Sequence, residues 1–129
     1  MPDHRQGPFR LRARLGSLGH ALAGVALVLR TQHNAWVHAA ASVLVVIAGA
    51  FSGIDVNQWC WLVVAIALVF VCETLNTAIE LLCDVASPEF HPLVKMAKDA
   101  AAGAVLIAAL CATIIGALVL GPRLLQMLG

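Results

Sequence analysis

Along this chain the charged residues are few, and long uncharged stretches separate them. Residues 31–54, 56–72 and 100–122 carry no Asp, Glu, Lys or Arg. A helix crossing a hydrocarbon core of about 30 Å needs roughly 20 mostly apolar residues, so these gaps predict three transmembrane helices at 35–53, 58–83 and 98–120. The second gap is short, and its helix carries Glu73 and Glu80 to the membrane boundary. Ahead of the first span, Leu15 to Leu29 is apolar-rich but interrupted by Gly16, Ser17, Gly19, His20 and Gly24, with arginines on both flanks. That pattern predicts an amphipathic helix over 10–31 lying in the membrane interface rather than a fourth span.

Composition strengthens this picture. Of 129 residues, 61% are hydrophobic and 12% charged, with a mean hydropathy of +0.92; a soluble domain carries about 25% charged residues. A soluble enzyme, a disordered tail and a nucleic-acid-binding module with a basic face are therefore excluded. The chain reads as one all-α integral membrane domain over 1–129, small enough that packing against copies of itself is expected. Arg5, Arg10, Arg12, Arg14 and Arg30 precede the first span, and Lys95 and Lys98 lie between the second and third. The positive-inside rule places both segments in the cytoplasm and turns the 54–57 connection and the Gly121-Pro122-Arg123 tail outward. A cleavable signal peptide fits less well, because glycines break the apolar run and no Ala-x-Ala site follows. Cys60, Cys72, Cys83 and Cys111 lack metal or disulfide spacing and read as packing residues, and the five histidines are scattered. There is no Walker-type phosphate loop and no internal repeat.

The candidate chemistry lies in Glu73-Thr-Leu-Asn76-Thr77-Ala-Ile-Glu80-Leu-Leu-Cys-Asp84. With Glu73 at zero on a helical wheel, Thr77 falls at about +40°, Glu80 at about −20°, Asp84 at about +20° and Asn76 at about −60°. One stripe thus holds the polar side chains, and Leu75, Ile79 and Leu82 occupy the opposite face for lipid or a neighbouring helix. Three aligned carboxylates repel one another, and near hydrocarbon each needs a partner, a proton or a cation. The stripe therefore points to a metal or a positively charged partner, with Mg²⁺ the natural metal because it takes hard oxygen ligands and substrate phosphate. The alternative is a helix end that has emerged into water with its acids solvated.

A second cluster runs from Glu89-Phe-His91-Pro-Leu-Val-Lys95 to Lys98-Asp99. Pro88 and Pro92 end one helix and open the next. Lys98 then stands at the cytoplasmic mouth of the third span as a point charge for phosphate with Asp99 to orient it, or as a snorkelling lysine beside a first-turn acid. The small-residue run Ala100 to Ala104 lets another helix approach closely. Gln32, His33, Asn34 and His38, where the interfacial helix meets the first span, are within reach of the same cytoplasmic pocket or are ordinary interfacial polar residues.

Glu73-x-x-Asn76-Thr77-Ala78-Ile79-Glu80-x-x-x-Asp84, followed by Glu89-x-His91 and Lys98-Asp99, resembles the signature of the small prokaryotic membrane kinases that phosphorylate diacylglycerol or undecaprenol. The resemblance extends from about Arg14 to Val119. It implies a homotrimer with active sites between subunits, in the bacterial cytoplasmic membrane and facing the cytoplasm, using ATP and Mg²⁺ on a membrane lipid alcohol. By the same resemblance Glu73 corresponds to the general base and Glu80 to a magnesium ligand. Asn76 corresponds to a residue lining the reaction centre, Lys98 to the lysine on the ATP phosphates, and Asp99 to its neighbour in nucleotide binding. Glu89 and His91 match residues near the adenosine, and Asp84 a further acid of the nucleotide site. One departure stands out: Gln32 occupies the place of a second magnesium-binding glutamate, and an amide oxygen is a weaker Mg²⁺ ligand than a carboxylate. The run from His91 to Ala104 leans toward the undecaprenol branch. A small cation channel or transporter would need acids spread through the membrane depth, and a non-enzymatic assembly subunit would not need Glu73, Asn76 and Glu80 at all.

Overall fold

The computed structural model describes residues 11–129, with side chains from Arg14 onward. The arginines at 5 and 10, the start of the interfacial helix at 10 and the side chain of Arg12 lie outside the described residues. Four helices follow one another: α1 (Leu11–Thr31), α2 (His33–Ser52), α3 (Val56–Ala86) and α4 (Pro92–Leu128). Among the described residues α2, α3 and α4 are long and apolar enough to cross a membrane, and α1 is not one of them. The all-α membrane architecture expected from the charge gaps is therefore what forms.

Each break has a local cause. Between α1 and α2 one residue, Gln32, leaves the helical region at φ −100° and ψ 115°, and its side chain does not cap α2. Gly53 ends α2 in the left-handed conformation at φ 59°, which glycine adopts without the steric penalty of a Cβ. Asp55 opens α3 with a capping box: its carboxylate accepts from the Gln58 backbone N–H at 2.9 Å, and Gln58 Oε1 accepts from the Asp55 N–H at 3.0 Å. His91 caps α4, its Nδ1 accepting from the Leu93 N–H at 3.2 Å, with Pro92 in the first helical turn.

Three helix ends depart most from expectation. α3 runs past 83 to Ala86, and α4 extends from 92 to 128 rather than from 98 to 120. The Gly121-Pro122-Arg123 segment is helix and not a terminal tail, with Pro122 inside α4. Packing overrides the local break here. Val119 and Leu120, immediately before it, are buried in a core with Ile54 and Leu62, and the Arg123 guanidinium donates to Gln58 Oε1 at 3.5 Å one turn later.

α3 and α4 form the most extensive helix pair, with α2 packed against both and α1 against α2 and α3. The described core consists of apolar side chains around Leu62 at one end and Ala35 and Val28 at the other. Most large hydrophobic side chains, Leu75, Leu82 and Leu118 among them, are exposed on the single chain, as suits a surface bathed by lipid. At 1.5 Å per residue the 31-residue α3 measures about 46 Å and overshoots a hydrocarbon core of about 30 Å. Counted from Val56, Glu73 lies about 26 Å along the axis, Glu80 about 36 Å and Asp84 about 42 Å. The acidic stripe thus climbs from the edge of the hydrocarbon into the headgroups and water.

Candidate functional site

Among the described residues only three polar or charged side chains are buried: Glu73, Asn76 and Thr77, at 1%, 7% and 3% exposure. All three belong to the stripe on α3. Glu73 and Asn76 face a cavity of about 330 Å³ whose walls include Gln32, Asn34 and His38 from the start of α2 and its junction, Glu80 beside them on α3, and Ala102 and Val105 from α4. Gln32, Asn34 and His38 therefore do reach the site, while His33 is exposed and forms no part of that wall.

The three acids do not share a common partner; each meets a different neighbour. Glu80 accepts two amide hydrogen bonds, from Gln32 Nε2 at 3.3 Å and from Asn76 Nδ2 at 3.1 Å. The extended backbone at Gln32, which ends α1, is what aims its side chain across 48 residues of sequence at Glu80. Asp84, one turn further out, pairs with Lys98 on α4. Glu73 has neither: its Oε2 is buried without a hydrogen-bond partner, as is Asn76 Oδ1. Across from Glu73 stands the His38 imidazole, with Nε2 3.9 Å from Oε2. Thr77 satisfies its hydroxyl locally, donating to the Glu73 backbone carbonyl at 2.9 Å.

An exposed cleft of about 370 Å³ lies at the α3–α4 connection, lined by Asp84, Ser87, Glu89, Phe90, His91, Lys95 and Lys98. Ser87 Oγ donates to the Glu89 carbonyl at 3.0 Å and helps fold the connection. Asp84, Glu89, His91 and Lys98 are thus brought together as the sequence suggested. Asp99 is not: it pairs with Lys95 one helical turn away, outside the cleft wall. Of the two readings of Lys98, orientation by Asp99 is not what forms: the acid that meets Lys98 is Asp84. Adjacent residues on a helix point about 100° apart, whereas positions four apart share a face. The Asp84–Lys98 contact joins two helices across a proline-flanked turn, which no single-helix spacing reveals.

A third feature completes the site. An apolar cavity of about 290 Å³, walled by Val45, Leu62, Ile66, Val69, Ala112 and Gly116 among others, adjoins the polar one and shares Val37, His38 and Ala109 with it. Among the described residues no group of three or more His, Cys, Asp or Glu side chains is arranged to hold a metal ion. What the polar cavity offers instead is two carboxylates, of which Glu80 is flanked by two amides. An amide presents an oxygen in place of its N–H groups by turning over about its last torsion, so Glu80, Gln32 and Asn76 form a set of hard oxygen donors of the kind that small divalent cations accept.

The prokaryotic diacylglycerol kinase family model matches residues 19–120, a span containing every site residue described above. The chain is 40% identical over 122 residues to an undecaprenol kinase of Bacillus subtilis, covering 95% of this chain and 97% of that one. It is 38% identical over 115 residues to a diacylglycerol kinase of Synechocystis, covering 88% of this chain and 66% of the other. A diacylglycerol kinase of Helicobacter pylori is 36% identical over 70 residues, 54% of this chain and 55% of its own. With three membrane-spanning helices and a match over most of its length, the chain belongs to the prokaryotic diacylglycerol kinase family of membrane lipid kinases.

Proposed function

We propose that the chain transfers the γ-phosphate of ATP to the hydroxyl of a membrane lipid alcohol, undecaprenol in the first instance, at a site facing the cytoplasm of the bacterial inner membrane and in a homotrimer. The observation that carries this reading is the junction of the two cavities. A lipid alcohol has a polar end and an apolar body, and here a cavity walled by the buried Glu73 and Asn76 lies directly beside one lined mostly by aliphatic side chains.

In this reading Glu73 accepts the hydroxyl proton as the lipid oxygen bonds to the γ-phosphorus and the bond to the bridging oxygen breaks, releasing ADP. Its buried, unpartnered Oε2 has an acceptor site free for that proton. Asn76 holds Glu80 in place at the reaction centre. Lys98 meets the ATP phosphates, with Asp84 fixing its ammonium at the cleft; Glu89 and His91 border the nucleotide's adenosine end. Asp99 contributes indirectly, by holding Lys95. Glu80, with Gln32 through its amide oxygen, would hold Mg²⁺, which when bound neutralises phosphate charge. Undecaprenol is placed first because the relative matched over nearly the full length of both chains is an undecaprenol kinase; diacylglycerol is the second acceptor, on the strength of the diacylglycerol kinase relatives.

The test is ADP formation by the purified protein in detergent with ATP and Mg²⁺, with and without added lipid alcohol. Stimulation by undecaprenol or diacylglycerol, absent with a short water-soluble alcohol, supports the reading. ADP formation indifferent to lipid contradicts it.

A further inference from the structure

His38 belongs to no role assigned so far, yet it occupies the wall common to the polar and apolar cavities. Its side chain is 19% exposed and its Nε2 stands 3.9 Å from Glu73 Oε2, about 1 Å longer than a charge-assisted hydrogen bond. That oxygen is buried and has no hydrogen-bond partner. Of the polar groups nearby Asn34 is exposed, and three others are engaged elsewhere. Asn76 and Gln32 give their amide hydrogens to Glu80, and Thr77 gives its hydroxyl to the Glu73 backbone. From α4 the cavity presents Ala102, Val105, Leu106 and Ala109, which donate nothing.

Resting on the kinase reading above, we infer that His38 is the positioning residue for Glu73: its Nε2–H donates to Oε2 and fixes the carboxylate toward the mouth of the apolar cavity, where the lipid hydroxyl arrives. A carboxylate held by one donor keeps a defined orientation and still has lone pairs for the incoming proton. A buried carboxylate with an unsatisfied oxygen is costly, so the contact has a driving force. A small rotation of either side chain closes the remaining gap, and His38 is anchored against sliding by Ser42, whose hydroxyl donates to its backbone carbonyl at 2.7 Å.

Two amide variants isolate this role, because both are polar and differ in reach. The glutamine Nε2 can occupy the place of the imidazole Nε2, whereas the asparagine Nδ2 falls short of it. His38→Asn should lower kcat for phosphate transfer to the lipid by about tenfold or more, the scale of one hydrogen bond to a charged group, with KM for ATP and for lipid within about twofold of wild type. His38→Gln should recover kcat to within about threefold of wild type, which a purely packing role would not predict. Equal kcat in the two variants, or a change carried by KM instead of kcat, overturns the inference while leaving the kinase reading intact. A wild-type protein that phosphorylates no lipid overturns the kinase reading, and this inference with it.

Discussion

Glu73→Gln exchanges one carboxylate oxygen for an amide nitrogen of nearly the same size, at a position 1% exposed and with Oε2 lacking a partner. If Glu73 takes the lipid proton, the substitution removes that acceptor while nearly preserving side-chain volume. General-base contributions of about 10² to 10⁴ in rate correspond to about 2.7 to 5.4 kcal/mol of transition-state stabilisation, so kcat should fall by that factor. Stability should move the other way or not at all. A buried, unsatisfied charged oxygen costs the folded state about 1–3 kcal/mol. The neutral amide lifts part of that penalty, and the variant should lie between wild-type stability and about 2 kcal/mol above it. The two quantities are read on one preparation: lipid phosphorylation rates in detergent, and unfolding in mixed micelles as the denaturing detergent is increased. An active variant, or an inactive one that has lost stability, would refute the reasoning, since the first removes the base and the second makes Glu73 a structural residue.

The other predictions concern the neighbouring groups. Glu80→Gln removes the carboxylate that the Gln32 and Asn76 amides surround, and the Mg²⁺ concentration for half-maximal activity should rise by at least tenfold; an unchanged magnesium titration removes Glu80 as a ligand. Lys98→Ala should raise KM for ATP strongly, and because Asp84 is what holds Lys98, Asp84→Asn should raise it more than Asp99→Asn does; equal effects would contradict the pairing. Gly53→Ala places a Cβ on a backbone at φ 59° and should destabilise the protein by about 1 kcal/mol in the same micelle unfolding assay, with kcat unaffected.

Much of this arrangement is legible in the sequence because membrane proteins separate their charges so sharply. The gap at 31–54 contains the whole of α2, those at 56–72 and 100–122 lie inside α3 and α4, and all three helices are long enough to cross the bilayer; the three-and-four spacing of Glu73, Asn76, Thr77 and Glu80 places them on one stripe, of which the first three are buried. Departures arise where a contact joins two helices or where packing outweighs a local rule. Lys98 is adjacent to Asp99 in sequence but finds Asp84 across the α3–α4 turn. Pro122 reads as a stop, yet buried Val119 and Leu120 and the Arg123–Gln58 contact carry α4 through it. Gln32 looked like a weakened metal ligand in an indistinct stretch; the structure brings its side chain to the Glu80 carboxylate, a pairing between residues 32 and 80 that no periodicity encodes.

The central claim is that the polar cavity moves phosphate from nucleotide to lipid, and the most direct measurement follows the phosphate itself. Purified protein in detergent, with Mg²⁺ and γ-labelled ATP, is offered undecaprenol and diacylglycerol in parallel, and label is counted in the lipid phase. The account predicts Glu73-dependent label in the lipid, with undecaprenol labelled faster than diacylglycerol. A folded protein that leaves both lipids unlabelled would contradict it.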